Sequence, residues 1–294
     1  MTLRQQMLQA ARRAPSMLGE STRRVAHFVL GHRSADGGFQ GRGEASDLYY
    51  TLFGIESLAA LGAELPPEPM AGYLAGFGGG EGLDLVHLCS LARCWAALPD
   101  RCPAQGAAAE MLRRLERFRT PDGGYAGAAG AAHGTAYGAF LALGAHHDLA
   151  STPPTPDRLV ASVEALHAAD GSFANEPAHA VGSTSATAAA VVVLSHLGRP
   201  LCVCVADWLL ARHHAHGGFA AGPEAPMPDL LSTATSLHAL ACLGVSLEPV
   251  AEPCLDFLDS LWDSRGGFHA TWADDALDCE YAFYGLLALG HLSA

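Results

Sequence analysis

One phrase returns along nearly the whole chain and constrains its fold more than any other feature. Gly37, Gly38 and Phe39 make a turn. A polar loop, an acid at Asp47, an apolar stretch and a closing Leu61 and Gly62 follow. The same order runs from Gly123, Gly124 and Tyr125 to Gly144, and from Gly171, Ser172 and Phe173 to Gly198. It recurs from Gly217, Gly218 and Phe219 to Gly244, and from Gly266, Gly267 and Phe268 to Gly290. A weaker copy has the glycines Gly78, Gly79 and Gly80, Asp84 as its acid and Leu98 as its end. Copies thus begin near residues 37, 80, 123, 171, 217 and 266, at intervals of 43 to 49 residues. A period of that size marks a repeat architecture, in which each unit buries its apolar face against its neighbours. The repeat spans residues 1–294 without an internal boundary, with residues 1–20 as an N-terminal helix and lead-in.

Each unit reads as a helical hairpin. Apolar spacing places outer helices near 22–32, 67–76, 105–119, 155–168, 201–214 and 249–263. Inner helices fall near 47–61, 84–98, 133–144, 184–197, 229–243 and 278–292. The outer set carries the charge, as in Arg113, Arg114, Glu116, Arg117 and Arg119. The inner set is nearly charge-free past its first turn, and a helix apolar all round is buried on all sides. Two concentric helical layers satisfy both patterns. An open solenoid would need polar terminal units, whereas here the first and last copies are the most complete. The expected fold is therefore all-α, a closed α/α toroid of six helical hairpins, with no strand signal.

Composition narrows the function classes. Half the residues are hydrophobic and the formal net charge is -13, which argues against a nucleic-acid partner, since that calls for a basic patch. No run approaches the roughly 18 apolar residues of a membrane span. The N-terminus lacks a secretory apolar core, so a cytoplasmic location is expected. The eight cysteines lie mostly in apolar helical segments without CxxC pairs, and read as small buried hydrophobes in a reducing compartment.

The repeat resembles that of protein prenyltransferase β subunits and of the squalene and second-class terpene cyclases, carried here by Asp36–Gly62 and by the last copy around Asp278–Gly290. The resemblance covers residues 30 to 292 and marks a divergent member. It implies a central, aromatic-lined cavity for an isoprenoid or isoprenoid diphosphate. It also implies an α-subunit-like partner or a second copy. In the prenyltransferases a D-x-C-Y segment and a D-x-x-H-T segment hold zinc. Here Asp278 and Tyr281 align with the first, but Glu280 stands in the cysteine position and Cys279 is displaced by one. The D-x-x-H-T matches begin at Asp47 and Asp229 and carry Tyr50 and Ser232 in place of histidine; only Asp84 and His87 keep both acid and imidazole. The ligand pattern therefore does not support zinc. His133, between Ala132 and Gly134, resembles the family's diphosphate-contacting histidine, and Tyr281 resembles the tyrosine beside the zinc cysteine.

The cyclase D-x-D-D acid is absent, and Asp274, Asp275, Asp278 and Glu280 form the nearest acidic cluster. Crowded carboxylates hold a proton near neutral pH, as a general acid must. Asp275, Asp278 and Glu280 are thus candidate catalytic groups. Asp278 and Glu280 are also candidate ligands for a divalent metal, magnesium or zinc. Acids in a first turn equally serve as helix caps, and both readings stand. If the ring closes, Tyr49, Tyr50 and Phe53 of the first inner helix meet Tyr281 and Tyr284 of the last. The helix near 184–197 offers only small groups opposite. Such a pocket suits a prenyl chain or carbocation. The expectation is an isoprenoid enzyme that transfers or rearranges a prenyl chain, with cyclisation by the acid cluster and non-catalytic lipid binding as alternatives.

Overall fold

The computed structural model describes residues 1–98, 100–177 and 181–293. Two helices, α1 (Leu3–Ala11) and α2 (Ala14–Leu18), lead into six hairpins. These are α3 (Thr22–Gly31) with α4 (Leu48–Leu61), α5 (Pro67–Ala75) with α6 (Leu85–Ala97), and α7 (Ala107–Leu115) with α8 (Ala136–Asp148). Then follow α9 (Pro156–Glu164) with α10 (Thr184–His196), α11 (Val203–Leu210) with α12 (Leu230–Cys242), and α13 (Glu248–Ser260) with α14 (Cys279–Leu292). Each second helix packs on the next one: α4 on α6, α6 on α8, α8 on α10, α10 on α12, α12 on α14, and α14 back on α4. The ring is closed, as the completeness of the terminal copies predicts.

The conserved grammar of the repeat has a packing cause. Gly217 has φ +80°, and a Cβ there would lie 1.9 Å from the Pro253 carbonyl of the next outer helix. Gly266 has φ +106°, and its Cβ would lie 2.5 Å from the Arg24 carbonyl in α3. Only glycine allows this backbone and this approach, so the last turn docks against the first outer helix and closes the outer layer too. The aromatic that follows is a wedge: Phe39, Tyr125, Phe173, Phe219 and Phe268 are all buried. The N–H groups of Phe39, Phe173 and Phe219 donate to the hydroxyls of Thr51, Thr187 and Thr233 at 2.8, 3.0 and 2.9 Å. Each bond ties a turn to the inner helix it feeds. Burying such a ring contributes about 1.5–3 kcal/mol.

Every hairpin runs outer helix first, so the six inner helices are parallel and their N-termini gather at one end of the barrel. Asp47, Asp84, Thr135, Ser183, Asp229 and Asp278 cap them, each accepting from a backbone N–H of its own first turn. At the opposite end α1 packs across α14, α4 and α8. The approach is close: a Cβ on Gly290 would lie 2.0 Å from the Ala10 carbonyl.

Three expectations need correction. Outer helices α7, α9 and α11 end earlier than their apolar spacing suggests, because the chain turns back to bridge Arg119 with Tyr125, His167 with Phe173, and His213 with Phe219. Two antiparallel pairs of two-residue strands also appear, β1 (Phe39–Gln40) with β2 (Ser46–Asp47) and β3 (Phe219–Ala220) with β4 (Pro228–Asp229). Strands that short carry no alternation to read. All eight cysteines are free, but Cys102 and Cys202 are exposed rather than buried. Among the described residues no helix is long and apolar enough to cross a membrane.

Candidate functional site

A cavity of about 500 Å³ occupies the barrel axis. Its mouth lies at the N-terminal end of the inner helices, where Tyr49, Tyr137, Ser185, Leu231 and Glu280 all stand within two residues of their helix starts. Met7 of α1 lines it from the other end.

The seam between α4 and α14 supplies the aromatic wall. Tyr49 and Phe53 meet edge to face with centroids 4.9 Å apart, and Phe53 lies 5.5 Å from Tyr284. Such pairs hold one another in place, and all three rings line the cavity. Tyr137 and Phe140 on α8 extend the aromatic lining. Across from the seam, α10 contributes Ser185, Ala186, Ala188, Ala189 and Val192, so the width of the cavity is set by small side chains.

Of the acidic cluster, Glu280 alone lines the cavity. The Tyr49 hydroxyl donates to its Oε1 at 2.6 Å. Burial raises the Glu280 carboxyl above the usual carboxylate range, the Tyr49 hydrogen bond opposes this, and the Asp278 charge adds to it. Burial likewise pushes the Tyr49 and Tyr284 phenols up, so both stay protonated. Asp278 is fully buried at the α14 cap, accepting from the Tyr281 N–H at 3.0 Å and from Arg42 Nε at 3.0 Å. Arg42 also donates to Asp274 at 2.6 Å. Asp275 is exposed on an outer groove beside Arg265 and His32.

The other anticipated residues stand apart from the cavity. Tyr50 packs over the Gly41 backbone, where a Cβ would lie 2.1 Å from its ring. Tyr281 faces the Arg42 guanidinium at 5.8 Å. His133 is exposed in the loop before α8, its Nδ1 3.7 Å from Asp122. The residues in the family's zinc positions do not fit that ion. Asp278 is engaged by Arg42, Glu280 by Tyr49, and Tyr50 lies over Gly41. Among the described residues no group of three or more His, Cys, Asp or Glu is disposed to hold a metal. His87 instead bridges two caps, 3.0 Å from Asp47 and 2.8 Å from Asp84.

The polar groups deeper in the cavity went unanticipated. Arg93 lines it and pairs with the buried Glu56 at 3.4 Å, and Arg4 of α1 lies 3.7 Å from Glu56 and 3.6 Å from Asp148. His238 also lines it, with Nδ1 3.0 Å from Nε2 of His291. Burial lowers His238 to about 4 and His291 to about 3, so the pair is neutral at pH 7. A signal was available for two of them: Glu56 and Arg93 are charges inside otherwise apolar inner helices, and a charge in such a setting is kept only when paired.

Two layers of helices closed around a blind axial cavity define this chain as an α/α toroid. It belongs to the prenyltransferase α/α toroid family: the family model described as "Prenyltransferase alpha-alpha toroid domain" matches residues 6–71, 98–203 and 203–293. None of the curated proteins matches it in sequence. Among solved structures it is similar to a variant of the type II terpene cyclase MstE from Scytonema in complex with its substrate geranylgeranyl dihydroxybenzoate. That match has a TM-score of 0.65 and 16% identity, and covers 95% of this chain and 97% of the other. Candida albicans protein geranylgeranyltransferase-I complexed with GGPP matches with a TM-score of 0.52 and 13% identity, over 97% of this chain and 81% of the other. The ent-copalyl diphosphate synthase from Streptomyces platensis matches with a TM-score of 0.52 and 19% identity, over 84% of this chain and 50% of the other.

Proposed function

We propose that this protein is an isoprenoid cyclase in which Glu280 protonates an alkene of a prenyl chain held in the axial cavity. The observation that carries this reading is the Glu280 carboxyl itself, set in the wall of an apolar, aromatic cavity with the Tyr49 hydroxyl at 2.6 Å. Burial raises this carboxyl above the usual carboxylate range, which favours its protonated form. When the proton moves to an alkene carbon, a C–H bond forms, the π bond breaks and a cation remains. The Tyr49 O–H then stabilises the carboxylate left behind. The cation closes a ring by taking up the electrons of a second alkene, with the faces of Phe53 and Tyr284 beside it. Loss of a proton from carbon ends the sequence, and the neutral His238 on α12 is a proton acceptor lining the same cavity.

Both the family and the isoprenoid ligands named for the solved neighbours support a prenyl substrate. Transfer from a diphosphate would call for a cationic grip at the mouth, whereas Arg42, beside the α14 cap and outside the cavity lining, is already held by Asp274 and Asp278.

The test is incubation with all-trans C15 and C20 prenyl alcohols, acids and diphosphates, followed by mass spectrometry and NMR of the products. A cyclic isomer of unchanged mass, absent with Glu280→Gln, is the expected result. Product that persists in that variant, or that forms only with release of diphosphate, would overturn the reading.

A further inference from the structure

The deep end of the cavity carries a second, smaller space that the proton-transfer reading does not use. It has a volume of about 30 Å³ and lies between α1, α6 and α8. It shares the lining residues Leu52, Ser90, Arg93, Phe140 and Leu141 with the main cavity, so the two adjoin. Arg4 and Asp148 complete its polar lining. The volume exceeds the roughly 10–15 Å³ that one water requires, so a small polar group has room there.

Its hydrogen bonding is unfinished. Among the described residues Arg93 makes one polar contact, from Nε to Glu56 Oε1 at 3.4 Å, and no protein atom takes its two terminal nitrogens. A guanidinium offers five N–H donors, and one left buried without a partner is a standing cost to the fold. Arg93 Nη2, Arg4 Nε, Glu56 Oε2 and Asp148 Oδ2 are all buried with no partner. The side chains of Glu56 and Asp148 are 0% and 2% exposed, so bulk water does not finish these bonds. The group is fixed by three inner-ring helices and by α1, which argues for a built site and not a loose surface cluster.

We propose that this niche is the head-group subsite of the axial cavity and takes a carboxylate carried on the prenyl chain, with Arg93 donating to it through its terminal nitrogens and Ser90 beside it. This rests on the reading that the cavity holds an isoprenoid. A single compact carboxylate suits the space, and a diphosphate does not: it is larger, and Glu56 and Asp148 would repel its extra charge. The cluster itself contains two arginines and two carboxylates. Burial pushes Asp148 up to about 6, so a proton taken up there offsets the incoming negative charge. The geometry also orients the chain. Tyr49, the partner of Glu280, and Glu56, the partner of Arg93, are seven residues apart on α4, about 10 Å at 1.5 Å per residue. A head held in the niche therefore directs the far end of the chain toward the acid at the mouth.

Calorimetric titration with farnesoic acid and with its methyl ester tests the subsite without turnover. The two share one chain and differ only at the head. The acid is expected to bind at least tenfold more tightly than the ester. Ser90→Leu, which fills the shared wall while leaving every ion pair in place, should abolish the advantage of the acid over the ester. Arg93→Gln should do the same, with a thermal melt confirming the fold, since it also deprives Glu56 of a partner. The preference for acid should survive in Glu280→Gln, which separates head-group binding from catalysis. Equal binding of acid and ester, as when the niche holds only water, would overturn the subsite alone. Binding of neither would overturn the isoprenoid reading with it.

Discussion

The Tyr49 hydroxyl donates to the Glu280 carboxyl group across 231 residues of sequence and 2.6 Å of space. This bond spans the seam where the first inner helix meets the last. It makes a direct prediction. Tyr49→Phe keeps the ring and the packing against Phe53 but removes the donor that stabilises the spent carboxylate. Hydrogen bonds to charged groups contribute about 1.5–3 kcal/mol, so the rate of product formation should fall roughly 10- to 100-fold with substrate affinity little changed. Glu280→Gln should abolish turnover. Steady-state kinetics on both variants check this, and a Tyr49→Phe enzyme at full rate would remove the tyrosine from the mechanism.

The remaining acids of the cluster separate by what they touch. Asp278→Ala deletes both the α14 cap and the buried partner of Arg42, so it should destabilise the fold by about 1–3 kcal/mol. Asp275 is exposed and lines only the outer groove, and Asp275→Ala should stay within about 0.5 kcal/mol of the parent. Urea titrations resolve this difference. Product formation should persist in Asp275→Ala.

The small side chains of α10 set the room left for substrate. Ala189→Leu adds three carbons to the cavity wall and should shift the preferred prenyl chain toward shorter homologues, reading out as a changed ratio of C15 to C20 turnover. An unchanged ratio would mean that the chain lies elsewhere in the barrel.

Two buried groups act oppositely on stability as pH changes. His238 and His291 have folded pKa values lowered to about 4 and about 3 by burial. Their contribution is present above the unfolded value near 6.5 and is lost as pH falls toward those values. Asp148 is raised to about 6, so its contribution is present below the unfolded value near 4 and is lost as pH rises through 6. Melting temperatures from pH 4 to 7 should therefore fall more steeply with acid in Asp148→Asn than in the parent. They should fall less steeply in the His238→Gln, His291→Gln double variant. Parallel curves for all three proteins would show that neither group titrates as described.

The architecture was legible because it is periodic. The glycine at the head of each turn, the wedge aromatic and the capping acid recur for packing reasons, and those reasons survive without any contact map. The seam was legible too, since closure of a six-unit ring makes α4 and α14 neighbours, and this places Tyr49, Phe53 and Tyr284 on one wall. Side-chain direction was not. Asp278 and Glu280 are two residues apart, yet one turns to Arg42 and the other into the cavity. Tyr49 and Tyr50 are adjacent, yet only the first faces the axis. Glu56, Arg93 and Asp148 come from three units, and Arg4 comes from a helix outside the repeat. Their meeting depends on how α1 lies across the barrel, which no period encodes.

The placement of α1 also bears on how the molecule is made. A ring whose first and last helices touch cannot be finished from one end. While synthesis proceeds, α4 shows an apolar flank that is covered only when α14 leaves the ribosome. The bed on which α1 rests is built from α14, α4 and α8 together, so α1, made before all three, can dock only after the last of them. A nascent chain short of its final unit therefore exposes two unfilled apolar surfaces at once, a state prone to association with other chains. Loops closed over the whole length of a protein are slow to form, and the last docking event is the one that sets Arg4 beside Glu56 and Asp148.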